Sequence, residues 1–173
     1  KDEILTSYIK LGTPRPNFSS VLLIVVKRDV VKEKLDVMRA AGLSIAAVLF
    51  VPESRSYLSA RAVNPKKGAR TAILDAGSQN TSFIVMNDGV PVMARNIPVG
   101  IEGIAADPAA LTQVVDEVKA SVEAFEQENG AKPARIILTS AHRALSGIDK
   151  ALLEAVAIRV ETVPYATIVK AAP

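Results

Sequence analysis

The stretch Ala72-Ile73-Leu74-Asp75-Ala76-Gly77-Ser78-Gln79-Asn80-Thr81 indicates the fold of this chain most directly. Its apolar first part is typical of a buried β-strand, which runs into Asp-x-Gly and then into small polar residues. A glycine lets the backbone approach an anion closely, and successive N–H groups in such a loop can point at a phosphate. The same residue types also suit a tight hairpin loop with a purely structural role. The loop by itself does not decide between these two interpretations.

The residues that follow predict a β-meander and then alternating helices and strands. Ser82–Met86 and Pro91–Ile97 are predicted strands, joined by the hairpin signal Asn87-Asp88-Gly89. Asp107-Pro108 then opens a long helix that Asn129-Gly130 closes. Apolar residues mark one face of this helix at helical spacing: Leu111, Val114, Val115, Val118, Val122 and Phe125. The last predicted elements are a strand at Arg135–Leu138, a helix at Ile148–Ala157 and a strand at Arg159–Val163.

The first part of the chain predicts a smaller α/β unit. A helix is expected to run from an Asp29 N-cap to about Ala41 and to end at Gly42. This helix lies between two predicted buried strands, Val21–Val26 and Ile45–Val51. Two further predictions are a loop at Leu11–Asn17 and a short helix at Pro52–Arg61. The polar stretch Asn64–Arg70 contains both Pro and Gly, and it predicts a linker.

Composition excludes several kinds of site. The 173 residues include no Cys and a single His, so a disulfide framework, a thiolate metal site and a His-rich metal site are excluded. The net charge of +3 is modest, and the one basic cluster (Lys66, Lys67 and Arg70) is interpreted as part of a solvated linker rather than as a nucleic-acid surface. No apolar run reaches the roughly 18 residues that a membrane-spanning helix needs.

Two separate blocks of the sequence resemble, in the same order, the PilM family of bacterial type IV pilus assembly proteins. The first block is Val21–Val31 followed by Ala40-Ala41-Gly42-Leu43, which is similar to a subdomain that is inserted in PilM and in the cell-division protein FtsA. The second block is Ala72–Thr81 with Asn87-Asp88-Gly89 and Arg95-Asn96-Ile97-Pro98-Val99-Gly100. The resemblance extends over residues 20–165.

The resemblance implies an α/β fold: an actin-like (ribonuclease H-like) half-domain with a mixed sheet and helices, preceded by a small FtsA-like inserted α/β subdomain. Residues 1–63 are then the inserted subdomain with its return helix, residues 64–70 the linker, and residues 71–173 the second half-domain with one phosphate loop. The chain opens on Lys1-Asp2-Glu3-Ile4 without an initiator Met, and it resembles a fragment or a processed chain.

The resemblance also implies a site for ATP and Mg, in which Asp75 would hold the metal. The cofactor-binding residues would be Asp75, Gly77, Ser78, Gln79, Asn80 and Thr81, with Ser140 and Ala141 at the adenosine turn. The family has a Gly-Gly pair where Ser140-Ala141 stands here, and the added Cβ atoms would crowd a nucleotide. The family's N-terminal phosphate loop is expected before the start of this chain. Only about seven residues separate Gly100 from the long helix at Asp107, so a further subdomain of the family is expected to be reduced or absent, or its residues to be left out of this chain.

Because the site is incomplete, two expectations stay open: bound ATP and Mg, or no cofactor at all. No catalytic residue is assigned, and an ATPase is the less favoured interpretation. Glu102, Asp107 and Asp116 are interpreted as solvated or capping residues rather than as water-positioning carboxylates. His142 is interpreted as a surface residue rather than as a base-stacking one.

The function that the resemblance implies is a cytoplasmic scaffold, peripheral at the inner membrane, in a type IV pilus or related secretion assembly. Its partner would be the N-terminal tail of a PilN-like membrane protein, docked as an extended peptide in a groove between subdomains. Tyr8, Phe18 and Tyr57 are candidate exposed apolar residues. The alternative is an ATP-binding or ATP-hydrolysing actin-like protein that uses the Asp75–Thr81 loop. Self-association and an α/β domain unrelated to the family stay open.

Overall fold

A five-stranded mixed β-sheet organises the longer part of the chain. The computed structural model describes residues 3–50, 69–140 and 147–164. The chain divides into two units, Lys1–Val51 and Pro52–Pro173. In chain order the described elements are β1 (Ile4–Arg15), β2 (Phe18–Lys27), α1 (Arg28–Ala40), β3 (Arg70–Ala76), β4 (Thr81–Asn87), β5 (Val90–Ile97), α2 (Ile101–Ala106), α3 (Pro108–Asn129), β6 (Arg135–Thr139), α4 (Ile148–Val156) and β7 (Val160–Thr162).

The sheet of the second unit has the strand order β5-β4-β3-β6-β7. The strands β3, β4 and β5 form an antiparallel meander, while β6 runs parallel to β3 and β7 runs parallel to β6. Asp88 and Gly89 both have positive φ, at 49° and 83°, as a tight hairpin turn requires. The predicted meander, its turn and the later strands are therefore confirmed, within one or two residues at each end.

Both faces of this sheet are buried. One face packs against α3 and α4, and its core includes Leu74, Phe83, Val118 and Leu138. The opposite face carries a smaller buried cluster of Ile73, Ile84 and Met86. A strand that is covered on both faces needs apolar residues at every position, which is why β3 reads as a continuous apolar run. The apolar stripe predicted for the long helix is the face that α3 buries.

Helix α3 has polar caps at both ends. Oδ1 of Asp107 accepts a hydrogen bond of 2.9 Å from the Ala109 N–H, which confirms Asp107 as the N-cap. Gly130 has φ 72° just beyond the last turn. The guanidinium of Arg70 donates to the carbonyl of Asn129 at 3.0 Å and lies 5.7 Å from the centre of the Phe125 ring. Arg70 is thus a structural cation at a helix C-terminus, while Lys66 and Lys67 lie outside the described residues.

The first unit contains a β-hairpin that differs from the sequence prediction. The predicted loop at Leu11–Asn17 is wrong over most of its length, because β1 continues to Arg15 and the turn is confined to Pro16 and Asn17. Two register shifts, one on each side of Gly12, let the strand continue through an irregular sequence.

Strand β2 is a strand, as predicted, but it is not buried. Val21, Leu23 and Val25 are exposed, whereas Leu22, Ile24 and Val26 are half-buried. Among the described residues this hairpin forms a sheet of two strands, and only one of its faces is partly covered. The apolar run of β2 therefore lies in a hairpin, and it lacks the burial on both faces that its composition indicated.

Helix α1 begins at Arg28, with Lys27 at the N-cap position and no side-chain cap, so the prediction that Asp29 caps the helix is wrong. Gly42 follows the helix with φ 72°, as predicted. The predicted strand at Ile45–Val51 is also wrong over residues 45–50, which are in no strand and are mostly exposed. Strand propensity without a neighbouring strand to pair with does not make a strand. Val51, Tyr57 and the predicted helix at Pro52–Arg61 lie outside the described residues, as does nearly all of the predicted linker.

Candidate functional site

The candidate site lies where β3 ends, next to the end of β6. Asp75 pairs with Ser82 of β4 on one side and with Thr139 of β6 on the other. Residues that pair directly across strands point to the same face, so the three side chains form a polar row across the sheet. Asp75 and Thr139 are each only 2% exposed. Within the described part of the chain, Oγ1 of Thr139 has no hydrogen-bond partner.

Residues 77–80 connect β3 to β4 in a tight turn. The N–H of Gly77 donates to the carbonyl of Asn80 at 2.9 Å. A Cβ at position 77 would lie 2.8 Å from that same carbonyl oxygen, which is closer than real Cβ contacts come. A glycine is therefore required here by the close approach of two backbone segments. Gln79 and Asn80 are exposed, and Gly77 and Ser78 are half-buried.

The segment of residues 99–102, which we call the clamp segment, packs directly on this turn. The N–H of Ile101 donates to the carbonyl of Gly77 at 2.9 Å, and the N–H of Glu102 donates to the carbonyl of Ser78 at 3.1 Å. Gly100 lies so close that a Cβ there would be 2.3 Å from the Ser78 carbonyl oxygen. The clamp segment, which includes the start of α2, is therefore packed against the turn and hydrogen-bonded to it.

Side chains reinforce the same contact. The Ser78 hydroxyl donates to Oε1 of Glu102 at 2.5 Å. The hydroxyl of Thr81, which is fully buried, donates to the carbonyl of Val99 at 2.7 Å. Three of the groups that the sequence assigned to a phosphate are thus already bonded within the protein: the N–H of Gly77 and the hydroxyls of Ser78 and Thr81.

The structure brings most of the predicted site residues together. Asp75, Gly77, Ser78, Gln79, Asn80 and Thr81 all lie in or beside the turn, and Ser140 directly follows Thr139 at the end of β6. Ala141 and His142 lie outside the described residues. Asp75 was the one predicted metal ligand; no group of three or more acidic or histidine side chains able to hold a metal occurs in residues 3–50, 69–140 and 147–164.

Sequence reasoning missed two members of this site. Glu102 was interpreted as a solvated or capping residue, and it is exposed in the first turn of α2, but it also accepts from the Ser78 hydroxyl across 24 positions of sequence. Thr139 was not among the predicted site residues. No local pattern marks either one, because both contacts depend on sheet order and on the path of the chain after β5. In the parts of the chain described, no helix is long and apolar enough to span a membrane.

No protein-family model matches this sequence, and neither does any curated protein. Among solved structures, a chain of the "PilM-PilN type IV pilus biogenesis complex" matches 96% of this chain with a TM-score of 0.79 and 18% sequence identity. EutJ, an ethanolamine utilization protein from Carboxydothermus hydrogenoformans, matches 73% of the chain with a TM-score of 0.47 and 15% identity. Ta0583, an archaeal actin homolog, matches 68% with a TM-score of 0.47 and 11% identity.

These matches extend over only part of each solved protein. This chain spans 58% of the matched chain of the PilM–PilN complex, 54% of EutJ and 51% of Ta0583. The first similarity includes nearly all of this chain. The chain therefore shares the fold of the matched chain of the PilM–PilN complex, which in this chain is a mixed α/β architecture.

Proposed function

We propose that this chain is a scaffold of a bacterial type IV pilus assembly platform or of a related secretion system. In this proposal it is cytoplasmic and stays at the inner membrane by binding the N-terminal tail of a PilN-like membrane protein. The observation that carries the proposal is the similarity over 96% of the chain to a protein solved in a PilM–PilN complex. The domain division at residues 1–63, 64–70 and 71–173 belongs to the same proposal.

The bonding of the Asp75–Thr81 loop supports a scaffold over an ATPase. Phosphoryl transfer depends on several groups positioned around the phosphates and on neutralisation of their charge. Here the N–H of Gly77 and the hydroxyls of Ser78 and Thr81 already donate hydrogen bonds within the protein, and the acceptor of the Ser78 hydroxyl is a carboxylate. A nucleotide would fit only after these bonds open.

A second candidate is an ATP-binding protein, and one observation favours it. The buried carboxylate of Asp75 and the buried hydroxyl of Thr139 lie side by side at the ends of neighbouring parallel strands, and among the described residues Oγ1 of Thr139 has no hydrogen-bond partner. Such ends are where ligands bind in many α/β folds. In this reading Asp75 would hold Mg, residues 77–81 would surround the phosphates, and Ser140 and Ala141 would lie near the adenosine.

The hairpin offers a surface for a peptide tail. On one of its faces Tyr8 pairs with Leu23, and these side chains are 67% and 63% exposed. Val25 continues the same apolar face, and Lys10 and Lys27 lie at its two ends. Exposed contiguous apolar surface is typical of interaction sites, and we assign the tail to this face.

Leu23→Asp is expected to weaken binding of the tail at least about tenfold, because burying a leucine side chain contributes roughly 1.5–3 kcal/mol and tenfold corresponds to about 1.4 kcal/mol. The measurement is fluorescence anisotropy with a labelled peptide that has the N-terminal sequence of the PilN-like protein from the same organism. Leu153→Asp is the matched control, since Leu153 is 51% exposed on α4 in the other unit. If Leu23→Asp and Leu153→Asp bind the peptide with equal affinity, the tail binds another surface. If the wild type does not bind the peptide, the scaffold proposal is wrong.

A further inference from the structure

We propose that Glu102 excludes phosphate groups from the Asp75–Thr81 loop, and that this one carboxylate sets the loop's selectivity against anions. The inference rests on the scaffold proposal and opposes the second candidate function, because it concerns what the loop admits. Glu102 would occupy the position at which a phosphate oxygen would accept from Ser78. This explains how a loop with the residue types of an anion site can occur in a scaffold protein.

The first step of the argument is donor availability. A serine hydroxyl has one proton to donate, and in this structure Ser78 donates it to Oε1 of Glu102. A phosphate that approached Ser78 would find the donor taken. It would also meet the negative charge of the acceptor at close range, where like charges disfavour each other.

The second step is that no described cation is paired with this carboxylate. The ion pairs of the described residues join Arg95 to Glu117, Lys132 to Glu126, and Arg135 and Arg159 to Glu161 in the unit that contains the loop. None of the ion pairs in residues 3–50, 69–140 and 147–164 includes Glu102. Within these residues no ion pair offsets the carboxylate that faces the loop.

The third step is that Glu102 is fixed by its own backbone. Its N–H donates to the Ser78 carbonyl, and the N–H of Ile101 donates to the Gly77 carbonyl. Gly100 packs against the same turn with no room for a Cβ. The backbone of Glu102 is thus bonded to the loop, and this holds the carboxylate within reach of the Ser78 hydroxyl.

The test is Glu102→Gln, which keeps the size of the side chain and an acceptor oxygen but removes the charge. The full chain is titrated by calorimetry with Mg-ATP, and separately with pyrophosphate as a probe of phosphate recognition alone. Glu102→Gln is expected to bind both at least about tenfold more tightly than the wild type. Glu117→Gln is the matched control, since it makes the same chemical change on α3 at an ion pair away from the loop.

A second variant separates charge from hydrogen bonding. Ser78→Ala removes the donor but leaves the carboxylate, so it is expected to bind neither probe more tightly than the wild type. Because charge causes the difference, the ratio of the Glu102→Gln affinity to the wild-type affinity is expected to fall at high salt.

Equal affinities of the wild type, Glu102→Gln and Glu117→Gln overturn the inference, whether those affinities are measurable or not. A gain in Ser78→Ala equal to that in Glu102→Gln overturns it too, because loss of the hydrogen bond would then suffice. Binding of the tail peptide is measured on the same preparations. Failure of the scaffold proposal is therefore seen independently of failure at the loop.

Discussion

Phe83→Ala is expected to lower the free energy of unfolding of the second unit by about 3–5 kcal/mol. Phe83 lies on β4 in the helix-covered core and is fully buried. The loss has two parts: the apolar surface that is no longer buried, and the cavity left between the sheet and α3. Stabilities of natural domains are only about 5–15 kcal/mol, so this change alone would remove much of the total. Urea unfolding followed by circular dichroism measures it.

Phe18→Ala is the matched control for this prediction. Phe18 is 59% exposed on β2, and its ring lies 5.1 Å from the guanidinium carbon of Arg15. Its removal costs a surface contact worth about 0.5–1 kcal/mol and leaves no cavity. If the two variants unfold at similar urea concentrations, the packing of β4 against α3 is not the principal source of stability that the structure indicates.

The second unit was predictable from its sequence because local signals there agree with tertiary packing. The turn at Asp88-Gly89, the Asp107 cap and the apolar stripe of α3 each specify one element, and each element then buries the face that its pattern marks. Helix α2 was missed, because six residues with one buried apolar side chain make no periodic signal.

The first unit was less predictable, because its burial does not follow from composition. A run such as Val21–Val26 has the same residue types whether it is covered on both faces or on one, and what packs on each face of the sheet decides between these. The prolines in Leu11–Asn17 indicated a loop, whereas register shifts keep most of that stretch in β1. Asp29 lost its predicted capping role because the helix begins at Arg28, two residues earlier than an N-cap at Asp29 would place its start.

The candidate site was half predictable for a related reason. Asp75 through Thr81 are contiguous, so their motif could be read directly. Glu102 and Thr139 reach the site from elsewhere in the chain, and their positions depend on how β5 leads into α2 and on β6 pairing with β3. What the motif could not reveal is that three of its donors are already used within the protein, and this is the observation from which we propose that the loop excludes phosphate.

Gly100→Ala is expected to destabilise the second unit by about 1–3 kcal/mol. We expect a loss at the upper end of this range, because the added methyl group would meet backbone atoms rather than a side chain that can move. The Cβ would lie 2.3 Å from the Ser78 carbonyl oxygen and 2.5 Å from the Gln79 nitrogen. Either the turn or the clamp segment must shift, and the shift breaks the bonds from Ile101 and Glu102. Urea unfolding and amide hydrogen exchange at Ile101 and Glu102 measure the two effects, and exchange is expected to accelerate.

Gly103→Ala isolates the cause, since it makes the same substitution three residues later. A Cβ at Gly103 would lie 3.6 Å from a Val99 methyl, which is an ordinary contact, and the position is inside α2. Alanine there is expected to stabilise the helix by about 0.5–1 kcal/mol. Opposite signs at the two glycines would show that the clamp segment is pressed against the turn. If Gly100→Ala instead unfolds like the wild type with unchanged exchange, the two segments separate at little cost, and Glu102 is not held at Ser78 by its backbone.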